Sequence, residues 1–281
     1  MKIEKAAGIG FCFGVMRAIN IVKKISRERD GVETLGAVVH NQPVLQKLAE
    51  IGITVVDSVA EIKDDVVVVS AHGISEQVET DIRARQIDII NTTCPFVRRA
   101  QEAARRLNEA EFFTIVYGAA DHPEVKGILG RVGGRGLATL SGEISFAPGK
   151  VPHRIGVLSQ TTQIPANFNH FVKQLIDSVL IKDSELRIID TICHDIRQRQ
   201  VAALELASRV DLMLVIGGNT SANSHHLADL CSTVVETHLV ETKEGIQPSW
   251  LRGRNHIGIT AGASTDDETI EDIANFLETI V

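Results

Sequence analysis

The alternation of short β-branched runs with helical stretches along the whole chain most strongly limits how this sequence can fold. This pattern is typical of parallel sheets whose strands are joined by crossover helices. It predicts an α/β protein. The clearest predicted strands are Asp65 to Ser70, Gln86 to Ile90, Phe112 to Tyr117, Arg154 to Leu158, Leu186 to Ile189, Asp211 to Ile216 and His256 to Thr260.

Almost every predicted strand ends in a cluster of small polar residues. Examples are Ser70-Ala71-His72-Gly73, the loop from Gly118 to Glu124 and the loop from Gly217 to Asn223. In open parallel sheets, ligands bind beyond the carboxyl ends of the strands. The sequence therefore predicts a binding site formed by these loops.

Two segments of the chain resemble each other. Asp88 to Cys94 and Arg187 to Cys193 both run from a strand through a threonine to a cysteine that precedes a helix. Cys12 also precedes a predicted helix, from Val15 to Ser26. We therefore expect three related α/β units, 1–92, 93–190 and 191–281, each with one cysteine at the start of a helix.

A cysteine at a helix N-terminus is suited to metal binding, because the helix dipole and free N–H groups stabilise a thiolate. Three cysteines would leave one iron of an iron-sulfur cluster open to a substrate oxygen. Burial as small apolar residues, a zinc site and a cysteine nucleophile with a histidine base are the alternatives. For the fourth cysteine, Cys231, core packing is the better interpretation.

Three histidines follow predicted strands beside turn-forming residues: His40, His72 and His122. They suit a phosphate site, although loop support or helix capping would also explain each one. The loops Thr220 to Asn223 and Ala261 to Thr265 offer hydroxyl and backbone N–H donors to an anion. Neither loop matches a P-loop, and the pair Gly217-Gly218 is too weak a signal for a dinucleotide site.

Glu124 and Thr161 are candidates for proton transfer. Glu124 follows His122-Pro123, where it could donate a proton or simply stabilise the first turn of a helix. Thr161 could relay a proton through its hydroxyl. The sequence leaves both interpretations of Glu124 open.

The net charge of −7 argues against a general nucleic-acid binder. The apolar runs are too short for a membrane span, which requires about 20 residues. The first residues lack the features of a secretory signal, so the cytoplasm is the expected compartment.

Several motifs resemble the 4-hydroxy-3-methylbut-2-enyl diphosphate reductase family. The resemblance runs through the whole chain in family order, in the segments Gly10 to Ala18, Thr92 to Pro95, His122 to Val125, Gln160 to Thr162, Thr191 to Cys193, Arg199-Gln200, Ser221 to Asn223 and Ala261 to Ser264. It implies three α/β units in a pseudo-threefold arrangement around a central [4Fe-4S] cluster.

The resemblance also implies roles for individual residues. Cys12, Cys94 and Cys193 would hold the cluster, with one iron left open. Glu124 would deliver protons with the help of Thr161 and Gln160. The diphosphate would bind to His40, His72, His122, Ser221, Asn223 and Ser264.

The implied reaction is the reductive dehydroxylation of an allylic diphosphate to isopentenyl and dimethylallyl diphosphate, the last step of the methylerythritol phosphate route. A ferredoxin or flavodoxin would supply the electrons, and no nucleic acid or membrane would take part. Two departures from the family pattern affect hydrogen bonding: Ile196 replaces a threonine, and Ala222 replaces a serine. A redox-free hydrolase or transferase of a phosphorylated metabolite and an iron-sulfur sensor are the rival interpretations.

Overall fold

The computed structural model describes residues 1–29, 31–147, 151–179 and 183–280. These residues form three sheets of four strands each. All pairings with a described register are parallel. The predicted α/β class with parallel strands is therefore confirmed, and the three sheets agree with the expectation of three α/β units.

The first sheet has the order β1-β12-β10-β11 and combines the two ends of the chain. Its strands are β1 (Lys2–Lys5), β10 (Leu212–Ile216), β11 (Thr237–Val240) and β12 (His256–Ala261). The five side chains of β10 are all buried, as expected for a central strand covered on both faces. Because β1 pairs with β12, this sheet is not formed from consecutive strands.

The second and third sheets are each formed from consecutive strands. The second, in the order β3-β2-β4-β5, contains β2 (Val32–Leu35), β3 (Ile53–Val56), β4 (Val66–Val69) and β5 (Asp88–Asn91). The third, in the order β7-β6-β8-β9, contains β6 (Phe113–Tyr117), β7 (Gly136–Thr139), β8 (Arg154–Ser159) and β9 (Glu185–Ile189). The predicted unit boundaries 1–92, 93–190 and 191–281 stay a prediction.

Helices connect the strands. They are α1 (Phe13–Ile25), α2 (Gln42–Ala49), α3 (Glu76–Ala84), α4 (Pro95–Glu109), α5 (Pro123–Leu129), α6 (Pro165–Val179), α7 (His194–Ala207), α8 (Ala222–Ser232), α9 (Pro248–Leu251) and α10 (Asp267–Thr279). Several begin at a side chain that accepts a backbone N–H, such as Asn41 from Val44 at 3.1 Å and Asp266 from Thr269 at 3.1 Å. Among the described helices, none combines the length and apolar character that crossing a membrane requires.

The chain divides into two compact units. Unit 1 comprises Met1–Gly31, Ala37–Thr54 and His194–Val281, and it contains the first sheet. Unit 2 comprises Val32–Gly36 and Val55–Cys193, and it contains the third sheet and all of the second sheet except the start of β3.

Candidate active site

The three candidate metal ligands share one backbone arrangement. Each cysteine follows an edge strand and immediately precedes a helix. In each sheet, the cysteine N–H donates to the carbonyl of the second residue after the neighbouring inner strand. The pairs are Cys12 with Ala263 at 3.0 Å, Cys94 with Ala71 at 3.0 Å and Cys193 with Thr161 at 2.9 Å. The backbone therefore presents each thiol at the carboxyl end of its own sheet.

The repeated segment noted in the sequence forms the same hydrogen bonds twice. Asn91 Oδ1 accepts the Thr93 N–H at 3.0 Å, and Asp190 Oδ1 accepts the Ile192 N–H at 3.1 Å. The threonine between them donates its hydroxyl to the end of the neighbouring inner strand: Thr92 to Val69 and Thr191 to Ser159. These turns fix the main chain that carries Cys94 and Cys193.

The thiol environments of Cys12 and the core cysteine Cys231 differ. Burial raises the pKa of the Cys12 thiol, but the N–H groups of Val15 and Gly14 and the charge of Arg199 lower it. The N–H groups and the Arg199 charge act in the direction expected at a helix N-terminus, but burial outweighs them and leaves the pKa of the Cys12 thiol above its usual value. Cys231 is fully buried among apolar side chains, and burial raises the pKa of its thiol to about 11. The prediction that Cys231 packs in the core is confirmed.

Glu124 lies in the first turn of α5 and is only 2% exposed. Its Oε1 accepts the Thr161 N–H at 2.6 Å, and its Oε2 accepts the Thr161 hydroxyl at 2.8 Å. Burial raises the pKa of the Glu124 carboxyl to about 7, against the two hydrogen bonds from Thr161, which lower it. A carboxyl group with this pKa can hold and release a proton near neutral pH.

Thr161 connects Glu124 to a candidate metal ligand. Its N–H and hydroxyl both bind Glu124, while its carbonyl accepts the Cys193 N–H. Gln160 precedes it and is buried, with its Nε2 donating to Thr162 Oγ1 at 3.2 Å. Unit 2 therefore connects three of the predicted site residues through Thr161, which contacts both Glu124 and Cys193.

His72 and His122 also lie together in unit 2. Their ring centroids are 5.6 Å apart in an edge-to-face arrangement. His122 Nδ1 accepts the Glu124 N–H at 3.2 Å and caps α5. His122 therefore has the helix-capping role that the sequence allowed for it. A neutral histidine ring that accepts at Nδ1 carries its proton on Nε2.

Two loops of unit 1 meet at Ser224. Ser221 Oγ accepts both the Ser224 N–H at 3.3 Å and the Ser224 hydroxyl at 3.0 Å. A side chain at Gly217 or at Gly262 would collide with the Ser224 hydroxyl, since a Cβ at either position would lie 2.2 Å from it. These glycines are therefore explained by close packing of the two loops.

The same two loops carry buried hydrogen-bond donors that have no protein acceptor within the described part of the chain. Among the described residues, Asn223 Nδ2 and Ser264 Oγ are buried without a hydrogen-bond partner. Asn41 Nδ2 on the neighbouring loop is a third such atom, and no motif in the sequence points to it. Buried unpaired donors are costly unless a ligand accepts from them, so they fit an anion site.

His40 lies on that neighbouring loop of unit 1. A Cβ at Gly218 would lie 2.1 Å from the His40 carbonyl oxygen, so the loop after β10 packs directly on the His40 backbone. Burial lowers the pKa of the His40 ring. In unit 1 the structure thus brings the His40 loop against the loop that carries Ser221 and Asn223.

The candidate anion ligands occupy equivalent positions in the three sheets. The fifth residue after β2, β6 and β10 is His40, His122 and Ser221, respectively. The third residue after β4, β8 and β12 is His72, Thr162 and Ser264, respectively. Thr162 joins this set as a further candidate, and it was not predicted because its equivalence depends on strand ends that only the structure supplies. Of the two departures from the family pattern, Ile196 is buried in α7 and Ala222 is the first residue of α8.

The chain is similar to known proteins along nearly its whole length. A family model described as LytB protein matches residues 3–278. A Dehalococcoides mccartyi protein named 4-hydroxy-3-methylbut-2-enyl diphosphate reductase is 56% identical over 99% of this chain and 98% of its own length. A protein of the same name from Geotalea daltonii is 39% identical over 100% of this chain and 98% of its own length.

Two solved structures are similar as well. One is titled as the E-1-hydroxy-2-methyl-but-2-enyl-4-diphosphate reductase from Plasmodium falciparum. It has a TM-score of 0.90 and 24% identity, covering 98% of this chain and 87% of that one, so it supports the fold alone. The other is titled as (E)-4-hydroxy-3-methyl-but-2-enyl diphosphate reductase, the terminal enzyme of the non-mevalonate pathway. It is 32% identical, with a TM-score of 0.69, covering 99% of this chain and 100% of that one.

The family model spans nearly the whole chain, and the relatives are similar over their full length. The chain therefore belongs to the LytB protein family.

Proposed function

We propose that this protein reduces (E)-4-hydroxy-3-methylbut-2-enyl diphosphate to isopentenyl diphosphate and dimethylallyl diphosphate, the last step of the non-mevalonate isoprenoid route. Each turnover breaks the carbon–oxygen bond of the allylic alcohol. It consumes two electrons and two protons and releases one water. The names of the relatives support this reaction. The hydrogen bonds through which Thr161 connects Glu124 to Cys193 are the observation on which the proposal rests.

The proposed cofactor is one [4Fe-4S] cluster held by Cys12, Cys94 and Cys193. The donor set fits it, because three thiols on three equivalent turns offer thiolate ligands at helix N-termini. When bound, such a cluster would supply electrons one at a time and an iron with an open coordination position. We propose a ferredoxin or flavodoxin as the electron donor. The thiolate ligands suit the reducing cytoplasm, which is the compartment we propose.

The protein side chains would bind the substrate and transfer its protons. The buried donors Asn223 Nδ2 and Ser264 Oγ would bind the diphosphate, together with His40, His72, His122 and Ser221. Glu124 would give its proton to the leaving hydroxyl, because its pKa of about 7 keeps a substantial fraction protonated at neutral pH. The Thr161 hydroxyl and Gln160 would position the proton of Glu124.

The test begins with anaerobic purification, iron and sulfide analysis and a visible absorption spectrum. We expect close to four irons per chain. Cys193→Ser should lose iron and colour, whereas the matched Cys231→Ser, which alters the core cysteine, should keep both. A colourless native protein that cannot be reconstituted would contradict the proposal and favour a redox-free phosphate enzyme.

Glu124→Gln then separates a reductase from a sensor, because a sensor would keep both its cluster and its response in this variant. We expect this variant to retain iron and to lose turnover about 10²- to 10⁴-fold, the usual contribution of a general acid. Normal turnover by Glu124→Gln would exclude Glu124 as the proton donor.

A further inference from the structure

A groove in unit 1 opens beside Cys12. Its volume is about 880 Å³, and it runs between the start of α1 and the outer face of α7. Phe13 and Val201 line it from the two helices and are unusually exposed for apolar side chains, at 57% and 55%. The Phe13 N–H donates to Asp195 Oδ2 at 3.4 Å, which connects the two helices at the end of the groove nearest Cys12.

The outer face of α1 changes character along its length. Phe13 and Met16, the first two exposed positions, are apolar, and Met16 is 50% exposed. The next exposed positions on the same side are Asn20, Lys23 and Lys24, followed by Arg27 and the acidic Glu28 just beyond the end of α1. At 1.5 Å per residue, the helical part of the stripe, from Phe13 to Lys24, is about 17 Å long, and Arg27 extends it just beyond the helix. It therefore has an apolar end beside Cys12 and a basic end away from it.

The basic end is available to a partner. Within the described residues, Lys23, Lys24 and Arg27 take part in no side-chain hydrogen bond or ion pair. The groove itself is close to electrically balanced, because Arg197 and Arg199 face Asp195 and Glu205 there. The net positive charge of this face thus comes from the last turn of α1 and the turn after it, where Glu28 offsets one of the three cationic side chains, in a chain whose net charge is −7.

We infer that this face, formed by the Phe13–Val201 groove and the basic stripe of α1, is the docking site of a small acidic one-electron carrier protein. The inference rests on the proposed function, which requires an electron donor. Apolar contacts beside Cys12 would place the carrier next to a proposed cluster ligand, and the lysines would attract its acidic surface and orient it. Electron-transfer complexes are small and weak, so a patch of this size is adequate.

The first test measures binding of oxidised ferredoxin, and separately of flavodoxin, to the anaerobic iron-loaded protein. The variant Lys23→Glu/Lys24→Glu/Arg27→Glu reverses the stripe. The control Lys63→Glu/Lys173→Glu/Arg252→Glu changes the net charge equally at exposed positions elsewhere. At low salt we expect the first variant to weaken binding of at least one carrier about tenfold or more and the control less than about twofold. The difference should shrink at 0.15 M salt, where charges are screened beyond about 8 Å.

The second test removes the apolar contacts. Met16→Ser/Val201→Ser should weaken carrier binding at both salt concentrations, because its effect does not depend on charge. The control Leu140→Ser/Val234→Ser alters two other exposed apolar residues and should leave binding unchanged. Turnover driven by reduced methyl viologen, which needs no protein docking, should be the same in all four variants.

The outcomes separate the two proposals. Equal effects of stripe and control variants, or no effect of either, would overturn the docking site while viologen-driven turnover still supports the reductase. An absence of viologen-driven turnover in the native protein would instead refute the proposed function. A native dimer that dissociates in Met16→Ser/Val201→Ser would show that a second copy of the chain occupies this face, and would also overturn the inference.

Discussion

Replacement of Thr161 by valine tests how the protein controls the proton of Glu124. The substitution removes the hydroxyl that donates to Glu124 Oε2 at 2.8 Å and keeps the N–H that donates to Oε1. A hydrogen bond to an ionised group contributes about 1.5–3 kcal/mol, and one pKa unit corresponds to about 1.4 kcal/mol. The lost bond stabilised the carboxylate, so the pKa of Glu124 should rise by about one to two pH units above its value of about 7.

Infrared difference spectroscopy measures this change directly. Spectra of the native protein minus Glu124→Gln isolate the carboxyl band of Glu124, and repeating the subtraction in the Thr161→Val background gives its titration there. The descending limb of kcat/KM with pH should move in the same direction, because a higher pKa keeps the acid protonated to higher pH. Thr161→Ser keeps the hydroxyl and is the matched control.

The sign of the effect on stability also follows. The pKa of Glu124 is higher in the folded protein than in the unfolded chain, so its ionisation opposes folding. Stability linked to this group is complete below about pH 4.5 and falls as the pH rises to about 7. Thr161→Val should therefore be more destabilising at pH 8 than at pH 5. A carboxyl band that titrates at or below the native pKa in Thr161→Val would refute this reasoning.

Three further substitutions probe the anion loops and the core. Ser264→Ala removes a buried hydroxyl that has no partner among the described residues, so the free energy of unfolding should change by less than about 0.5 kcal/mol. The dissociation constant of pyrophosphate should rise about tenfold. An unchanged dissociation constant would exclude Ser264 from the anion site. Gly218→Ala places a Cβ against the His40 carbonyl and should push the two loops apart. Calorimetry should then show weaker pyrophosphate binding, while the iron content stays normal. Native affinity for pyrophosphate would contradict the close packing. Cys231→Ala should cost about 1–2 kcal/mol in denaturant unfolding for the small core cavity and keep all iron, whereas iron loss would contradict its assignment to the core.

The sequence was most informative for the inner strands and least for the sheet edges. All seven predicted strands are present within two residues of their predicted ends. The five strands that were not predicted are β1, β2, β3, β7 and β11, and all except β2 are edge strands. Edge strands are short and partly polar, as in the Lys2–Lys5 segment Lys-Ile-Glu-Lys, so their pattern is weak.

The pairing of β1 with β12 could not be predicted from the sequence, for a different reason. It joins segments more than 250 residues apart, and no local pattern encodes such a distant partner. The equivalence of Cys94 and Cys193 could nevertheless be predicted, because the threonine and the cysteine of Asp88 to Cys94 recur in Arg187 to Cys193. Their shared backbone hydrogen bonds explain that recurrence.

For Glu124, the sequence left two interpretations open because a first-turn glutamate often stabilises a helix. Its partner, Thr161, lies 37 residues away in the chain, and only the folded structure shows that both carboxylate oxygens are bound to it. The unpaired amide nitrogen of Asn41 likewise could not be predicted. The sequence identifies Asn41 at most as a helix cap, which involves its amide oxygen and says nothing about its nitrogen.

The backbone anchors of the three cysteines bear on how the enzyme matures. Each anchor is formed within one sheet by main-chain atoms and does not require a metal. In small zinc domains, by contrast, metal binding and folding are a single event. We therefore expect the newly synthesised chain to fold first and to receive the proposed cluster afterwards. Loss of that cluster would then leave a folded protein that can be reloaded instead of one that must be degraded.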